Sequence, residues 1–178
     1  MMQEMTTALL DEVIGEMEGA KVRHKSARRI RIDIEHDALP TLLQLLKGKG
    51  GYLHLSAISC VDWPDTDEFE LVYHVWSYES NVLISAHTRI SKQSGRYISI
   101  YDLFTPAGFF ERDIYEMYGL YFEGSPHMEK FILTEWNGPP PMLKSFDTEQ
   151  FVRDTFDWKD YNPDWLQEIV ANGGGIVE

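Results

Sequence analysis

Apolar positions in the first quarter of the chain follow two different periods. Residues 6–18 carry apolar side chains along one stripe at helical spacing, and Gly19 follows as a stop, which predicts a helix. Residues 29–35 alternate strictly between isoleucine and charged residues, which predicts a strand with one apolar face. A second helix is predicted from Asp37, which can cap it, through Leu46.

Strands and tight turns dominate the middle of the chain. The predicted strands cover residues 52–61, 69–78 and 82–90, followed by a short extended piece at 97–101. Residues 62–65 predict a turn, and residues 79–81 predict the tight end of a hairpin. This order of helices and hairpins predicts an α+β fold, a two-layer sandwich with a mixed, mainly antiparallel sheet.

A third predicted helix carries a dense group of charges. Thr105 can cap it, Pro106 suits its first position, and Gly119 ends it. On a helical wheel the apolar side comprises Phe110, Ile114, Met117 and Tyr118, and the opposite side comprises Glu111, Arg112, Asp113 and Glu116. Arg112 and Glu116 are four residues apart and can pair. The charged side is a solvated face, a docking surface or a carboxylate cluster for acid–base chemistry, and the helix alone leaves the three interpretations open.

From about residue 121 onwards prolines and glycines interrupt every regular pattern. The segment is nevertheless rich in aromatic residues, namely Phe122, Phe131, Trp136, Phe146, Phe151, Phe156, Trp158, Tyr161 and Trp165. Disordered segments are poor in aromatic residues, so we expect this one to wrap over its own domain or over a partner, and we favour the partner. The chain is therefore divided into an α+β domain at residues 1–122 and an extended, partner-wrapping tail at residues 123–178.

Charge is unevenly distributed along the chain. The formal net charge is −13, which argues against nucleic acid as a partner because phosphate binding needs a basic face. Residues 21–31 nevertheless hold six of the 16 basic residues and no acidic one. This basic segment is either a strand edge protected from aggregation by charge, or a patch for an acidic partner or anionic lipid headgroups.

The residue types needed for a cofactor site are scarce. Cys60 is the only cysteine, which excludes an intrachain disulfide and a cysteine-ligated zinc or iron–sulfur site within the chain. His74 and His87 lie on the two arms of the predicted hairpin, where they can face each other, but two imidazoles make a weak metal site. The sequence shows no phosphate loop, no signal peptide and no apolar run of the ~18 residues that a membrane span needs.

The region from Phe110 to Leu133 resembles the signature of the 30 kDa subunit family of respiratory complex I, also called the C subunit of NADH–quinone oxidoreductase. The signature positions are Glu111, Arg112, Asp113, Glu116, Gly119, Phe122, Gly124 and Pro126, followed by residues 131–133. Asp113 stands in place of the family's second glutamate, Glu116 in place of its aspartate and Ser125 in place of its histidine. A second family element is matched at Pro141, Lys144 and Phe146. Residues 116–119 and 137–140 look more like the archaeal and membrane-bound hydrogenase relatives than the mitochondrial branch.

The resemblance implies a non-catalytic, hydrophilic subunit in the peripheral arm of a membrane-bound, ion-translocating oxidoreductase, either a complex I-like dehydrogenase or an energy-converting nickel–iron hydrogenase. Such a subunit holds no cofactor. It docks on and stabilises the large hydrogenase-like subunit, next to a small iron–sulfur subunit, on the cytoplasmic side of the cell membrane. Iron–sulfur clusters, with a nickel–iron centre as a further candidate, are then expected in the partner subunits. The electron donor and acceptor depend on the branch of the family.

Two alternatives stay open. The chain is a free-standing enzyme if the Glu111, Asp113 and Glu116 carboxylates act as acid, base or metal ligands. It is a soluble adaptor if it works outside any redox complex.

Overall fold

The computed structural model of the protein describes residues 19–156, together with Gly15, Met17 and Ala171. The helix predicted over residues 6–18 lies outside the described residues apart from two positions, and so do the tail aromatics beyond Phe156. Contacts divide the chain into two compact units, one ending at Phe146 and one beginning at Asp147. In the second unit, helix α3 (Thr148–Thr155) is capped by Asp147, whose side chain accepts from the amide of Gln150 at 2.9 Å.

The first unit contains seven strands and two helices among the described residues. In chain order they are β1 (Lys21–Ser26), β2 (Arg29–Asp33), α1 (Leu39–Gly48), β3 (His54–Trp63), β4 (Glu68–Ser77), β5 (Val82–Ser91), β6 (Arg96–Ile98), α2 (Ala107–Tyr118) and β7 (Tyr121–Glu123). Each strand and helix predicted within this part of the chain is present, with ends shifted by up to a few residues. Strand β1 was not predicted, because its residues lack an alternating apolar side.

The sheet confirms the predicted fold class. Five strands are ordered β1-β2-β5-β4-β3, and only the β2–β5 pair is parallel. Strands β6 and β7 form a separate parallel pair. The register corrects one expectation, since His87 lies opposite Val72 and His74 lies opposite Ser85, so the two imidazoles do not face each other directly.

The alternating strands and the leucines of α1 build one core. Ile32 and Ile84 on adjacent strands are completely buried. The apolar stripe of α1 packs into the same cluster with all four of its buried residues fully inaccessible, namely Leu39, Leu42, Leu43 and Leu46. Apolar side chains at i, i+3, i+4 and i+7 of a helix share one face, which explains why this helix covers the sheet. The result is one helical layer on one sheet, as predicted.

Three local predictions are wrong. The N-cap of α1 is Ala38, without a side-chain bond, so Asp37 does not cap the helix. Likewise α2 begins after Pro106, and Thr105 makes no cap. The turn predicted at 62–65 lies at 64–67, because Asp62 continues the buried face of β3.

Candidate docking site at helix α2

Glu111 lies on the buried side of α2, not on the charged side where the helical wheel placed it. The residue is completely buried, and the buried positions of the helix are Ala107, Glu111 and Ile114. Its two carboxylate oxygens accept from the hydroxyl of Ser99 at 2.7 Å and from the amide of Ile100 at 2.9 Å. These bonds offset the cost of burying the carboxyl group and fix the loop between β6 and α2.

Arg112 binds the backbone of the tail. Its Nε donates to the carbonyl of Glu129 at 2.8 Å, and its Nη2 donates to the carbonyl of Lys130. The guanidinium also lies over the ring of Phe131, 4.8 Å from its centroid. Four-fifths of the side chain is shielded from solvent, with an exposed fraction of 20%. Arg112 thus fixes the position of the tail against α2.

Glu116 binds the same stretch of tail from the amide side. Its carboxylate accepts from the amides of Phe131 at 2.9 Å, Ile132 at 2.8 Å and Leu133 at 3.0 Å. Desolvation acts to raise the pKa of Glu116, but the three amide bonds and the nearby Arg112 outweigh it and lower that pKa. The predicted Arg112–Glu116 pair is wrong, because each side chain binds tail backbone. We call these two residues and residues 129–133 the tail clamp.

Asp113 has a different environment from its two charged neighbours. It is half-buried, and no hydrogen bond or ion pair to it occurs within the described part of the chain. Desolvation, followed by repulsion from Glu116, raises the pKa of its carboxyl group. Asp113 therefore contributes nothing to the tail clamp itself.

The C-terminal end of α2 is closed by a later part of the tail. Gly119 ends the helix with a left-handed φ of 79°, as the sequence predicted. A Cβ at this position would lie 3.1 Å from Cγ of Pro140, so the close approach of the tail also requires glycine. The amide of Met142 donates to the carbonyl of Met117 at 3.0 Å, which satisfies one of the free carbonyls at the helix end.

The other signature residues lie along the path of the chain after the helix. Phe122 on β7 is fully buried in the core. Gly124 turns the chain with a φ of 90°. Pro126 lies beside Gly108, where an added Cβ would meet its Cγ at 4.0 Å. These positions direct the tail back across α2, and a role in partner binding stays a prediction for each of them.

The second family element is held by a residue that the sequence did not single out. The amide of Lys144 donates to Oδ2 of Asp62 at 2.8 Å, and Lys92 forms an ion pair with the same carboxylate. Desolvation alone would raise the pKa of Asp62, but these two partners outweigh it and the pKa is lowered. Phe146 packs edge-on against Trp136 with ring centroids 5.8 Å apart. Pro141 lies between Trp136 and Lys144 along the chain.

The tail and α2 enclose a depression with a volume of about 360 Å³. It is lined by Tyr115, Glu116, Gly119, Lys130, Leu133, Trp136, Gly138 and Pro140. Large apolar side chains of α2 and the tail are exposed, with exposed fractions of 64% for Phe109, 60% for Ile132 and 52% for Met142. Apolar side chains that are held rigidly and left in solvent are typical of a protein interface.

Neither a metal-ligand cluster nor a membrane span occurs in the described part of the chain. Within residues 19–156 no three His, Cys, Asp or Glu side chains come together as metal ligands. No helix among these residues is long and apolar enough to cross a bilayer.

The sequence and structure of the chain match known proteins across this whole region. The model of the respiratory-chain NADH dehydrogenase 30 kDa subunit matches residues 32–152, which include both signature elements and the tail clamp. The chain belongs to this 30 kDa subunit family. Members of the family are subunits of membrane-bound respiratory complexes, and the predicted resemblance is confirmed.

Relatives of this 30 kDa-family chain come from several kinds of respiratory enzyme. It is 32% identical over 124 residues to the C subunit of the F(420)H(2) dehydrogenase of Methanosarcina mazei, covering 69% of this chain and 78% of that protein. It is also 32% identical over 111 residues to the C subunit of the NADH-quinone oxidoreductase of Rhizobium rhizogenes, covering 61% of this chain and 54% of that protein.

A solved structure with the same fold belongs to the membrane-bound sulfane sulfur reductase, an archaeal respiratory membrane complex. The match has a TM-score of 0.81 and 26% identity, and it covers 89% of this chain and 95% of that chain. The α+β architecture and the family assignment therefore agree with each other.

Proposed function

We propose that this chain is a non-catalytic subunit in the peripheral arm of a membrane-bound, ion-translocating oxidoreductase, where it docks on and stabilises the large hydrogenase-like subunit. The observation that carries the proposal is the tail clamp. Arg112 and Glu116 fix residues 129–133 through five hydrogen bonds, and this places Phe131 and Ile132 at the surface. A preorganised surface loses less entropy on binding than a mobile one.

Exposed apolar side chains form the proposed docking surface. Phe109 and Phe131 are in contact, with ring centroids 6.3 Å apart, and both remain exposed to solvent in the isolated chain. Aromatic residues at the centre of an interface contribute most of its binding energy. Phe109 is carried by α2 and Phe131 is fixed by the tail clamp, so we propose that both rings stay available to a partner.

The tail from residue 123 onwards supplies the rest of the proposed contact. Its first part returns over α2 and binds Asp62 and the end of the helix. Its remainder, from Asp147 onwards, belongs to a separate compact unit. We propose that this remainder wraps over the large subunit.

The location and the neighbouring subunits of this chain in the proposed complex are inferred from its relatives. The sulfane sulfur reductase is an archaeal respiratory membrane complex, and the Methanosarcina relative is one subunit of a dehydrogenase. By analogy, this chain would lie peripherally on the cytoplasmic side of the cell membrane. The small iron–sulfur subunit would be its neighbour, and the iron–sulfur clusters and any nickel–iron centre would belong to the partner subunits.

The free-standing enzyme is the weaker candidate on geometric grounds. Glu111 has no exposed surface, and both oxygens of Glu116 are occupied by tail amides. Of these three candidate carboxylates, only that of Asp113 remains available to a substrate. Metal analysis and turnover assays of the purified chain test this candidate, and stoichiometric metal or turnover by the chain alone would support it.

Co-purification from the native membrane tests the docking proposal. A tagged full-length chain carrying Phe109→Asp and Ile132→Asp should recover at least about tenfold less large subunit than the unchanged chain, because two central apolar contacts are lost. Ile98→Asp is the matched control, since Ile98 is an exposed apolar residue on β6 with an exposed fraction of 53%. Equal recovery of the large subunit by the double variant and the control would overturn the proposal.

A further inference from the structure

We propose that the outer face of the sheet, next to the β1–β2 hairpin, is a second docking surface that binds an acidic, apolar-containing segment of a protein partner. The surface is built from strands rather than from α2 and the tail, so it is distinct from the docking site proposed above. We call residues 21–31 the basic hairpin. Its basic residues are Lys21, Arg23, Lys25, Arg28, Arg29 and Arg31.

The basic hairpin forms the edge of the sheet and carries a high density of positive charge. Strand β1 is the outermost strand, and all but one of its six residues are exposed. Charged side chains on an edge strand, especially lysines, hinder pairing with another sheet edge. Here six of the chain's 16 basic residues are concentrated in eleven positions, while the chain as a whole has a net charge of −13.

Only part of this charge is neutralised within the protein. Arg23 lies directly opposite Arg31, and Asp33 contacts both, with 3.3 Å from Nη2 of Arg23 to Oδ2 and 2.8 Å from Nε of Arg31 to Oδ1. Arg31 reaches Glu70 as well, at 3.2 Å. No ion pair within the described residues involves Lys21, Lys25, Arg28 or Arg29. Four basic side chains are therefore left for an external partner.

A row of side chains that includes Trp76 and Tyr78 crosses the sheet from Arg29 of the basic hairpin, and we call it the aromatic row. Across the sheet Arg29 lies opposite Leu83, Leu83 opposite Trp76, and Trp76 opposite His54. Residues paired in this way point to the same side of the sheet. Tyr78 extends the row with an exposed fraction of 70%, and its ring lies 6.3 Å from Trp76 and 5.7 Å from His54. Arginine beside Trp and Tyr is the composition of an interface centre.

The shape and charge of this surface favour a protein segment over a bilayer. A row across four strands is a flat face about 14 Å wide, which suits a peptide lying along it. The tip of the basic hairpin offers a bilayer only Ala27 and Arg28, and neither is a large apolar side chain that could insert. The net charge of −13 also repels an anionic membrane, whereas an acidic segment meets mainly the local positive charge.

The test uses the full-length chain and fluorescence anisotropy with a labelled amphipathic peptide of Glu and Leu. Comparison probes are the same peptide with Lys in place of Glu, and vesicles containing phosphatidylserine. We expect binding of the acidic peptide alone. The dissociation constant should rise at least about tenfold in Arg28→Glu/Arg29→Glu, because the charge that faces the peptide is reversed.

Two further variants make the outcome decisive. Arg96→Glu/Lys144→Glu changes the net charge equally at exposed basic residues outside the surface, and it should bind the acidic peptide as the unchanged chain does. Tyr78→Ser should weaken binding several-fold if the aromatic row takes part. Vesicle binding without peptide binding, binding to neither probe, or equal peptide affinity in both charge-reversed variants would each overturn the inference. None of these results bears on the recovery of the large subunit, which depends on α2 and the tail.

Discussion

Arg112 and Glu116, one helical turn apart, bind consecutive parts of the tail backbone and share one peptide group, the one between Lys130 and Phe131. Arg112 donates to the carbonyls of Glu129 and Lys130, and Glu116 accepts from the amides of the next three residues. A charge pair that would be worth a few tenths of a kcal/mol on an exposed helix is thereby replaced by several charge-assisted bonds to backbone.

The first prediction concerns this clamp. Glu116→Ala leaves three tail amides without their acceptor, and we expect it to lower the free energy of unfolding by about 1–3 kcal/mol. Urea unfolding followed by circular dichroism measures the change, and limited proteolysis should show faster cleavage near residue 131. Glu123→Ala is the control, because Glu123 is exposed and its side chain pairs, among residues 19–156, only with the exposed Arg96. If the two variants unfold at the same urea concentration, the clamp does not stabilise the fold.

The second prediction concerns the end of α2. Gly119→Ala places a Cβ in a left-handed conformation and 3.1 Å from Pro140, so we expect a loss of about 1–2 kcal/mol in thermal or urea unfolding. Gly48→Ala is the matched control, since an added Cβ there meets nothing within 4 Å. A Gly119→Ala protein as stable as the control would show that neither the conformation nor the contact matters.

The third prediction concerns acid stability. The pKa of Asp62 is lower in the folded chain than its usual value, so its contribution is complete above that usual value, ~3.9, and is lost as the pH falls through the folded pKa. Asp62→Asn should therefore be less stable at neutral pH and lose stability less steeply on acidification. Urea unfolding at neutral pH and in steps towards pH ~3 measures both slopes. An unchanged slope in Asp62→Asn would contradict the assignment.

The fourth prediction concerns the single cysteine. Burial, with the Asp62 carboxylate nearby, raises the pKa of Cys60 to about 12. The thiolate is the reactive form, so the native chain should resist alkylation by iodoacetamide at pH ~8. The urea-unfolded chain should react at the rate of a free cysteine, as mass spectrometry can show. Rapid labelling of the native protein would mean that β3 opens readily.

The fifth prediction separates two possible ends of the folded domain. A chain ending at Glu123 lacks Met128 and Leu143, which pack against the core, so we expect it to fold with reduced stability. A chain ending at Phe146 retains them and should unfold at nearly the same urea concentration as the full chain. Neither should recover the large subunit as well as the full-length protein does. If the shorter chain is as stable as the longer one, residues 124–146 are not part of the fold.

Much of the fold was predictable because apolar periodicity and burial coincide. Ile30, Ile32 and Ile34 alternate in the sequence and are all buried, and the leucines of α1 follow the same logic. Strand β1 escaped prediction because an edge strand needs no apolar side, and its pairing with β2 is decided by backbone bonds.

The candidate site was predicted less well, because the prediction placed every charged residue of the helix on its solvent-facing side. Glu111 points inward because Ser99 and Ile100 supply its hydrogen bonds. The sequence around Glu111 gives no signal for these partners. Asp62 was missed for the same reason, as its partners Lys92 and Lys144 lie far along the chain. Gly119 was recognised because the left-handed end of a helix is a local signal, whereas its contact with Pro140 was not predicted.

The hydrogen bonds of the tail clamp involve only main-chain atoms of the tail. Substitutions at Ile132 or Leu133 can therefore change the chemistry that the chain offers to a neighbour while Arg112 and Glu116 keep hold of the segment. The main-chain atoms that hold the segment in place are thus separate from the side chains that the segment exposes. The same fold can in this way carry different exposed side chains at residues 132 and 133 without a change in the bonds that hold the segment.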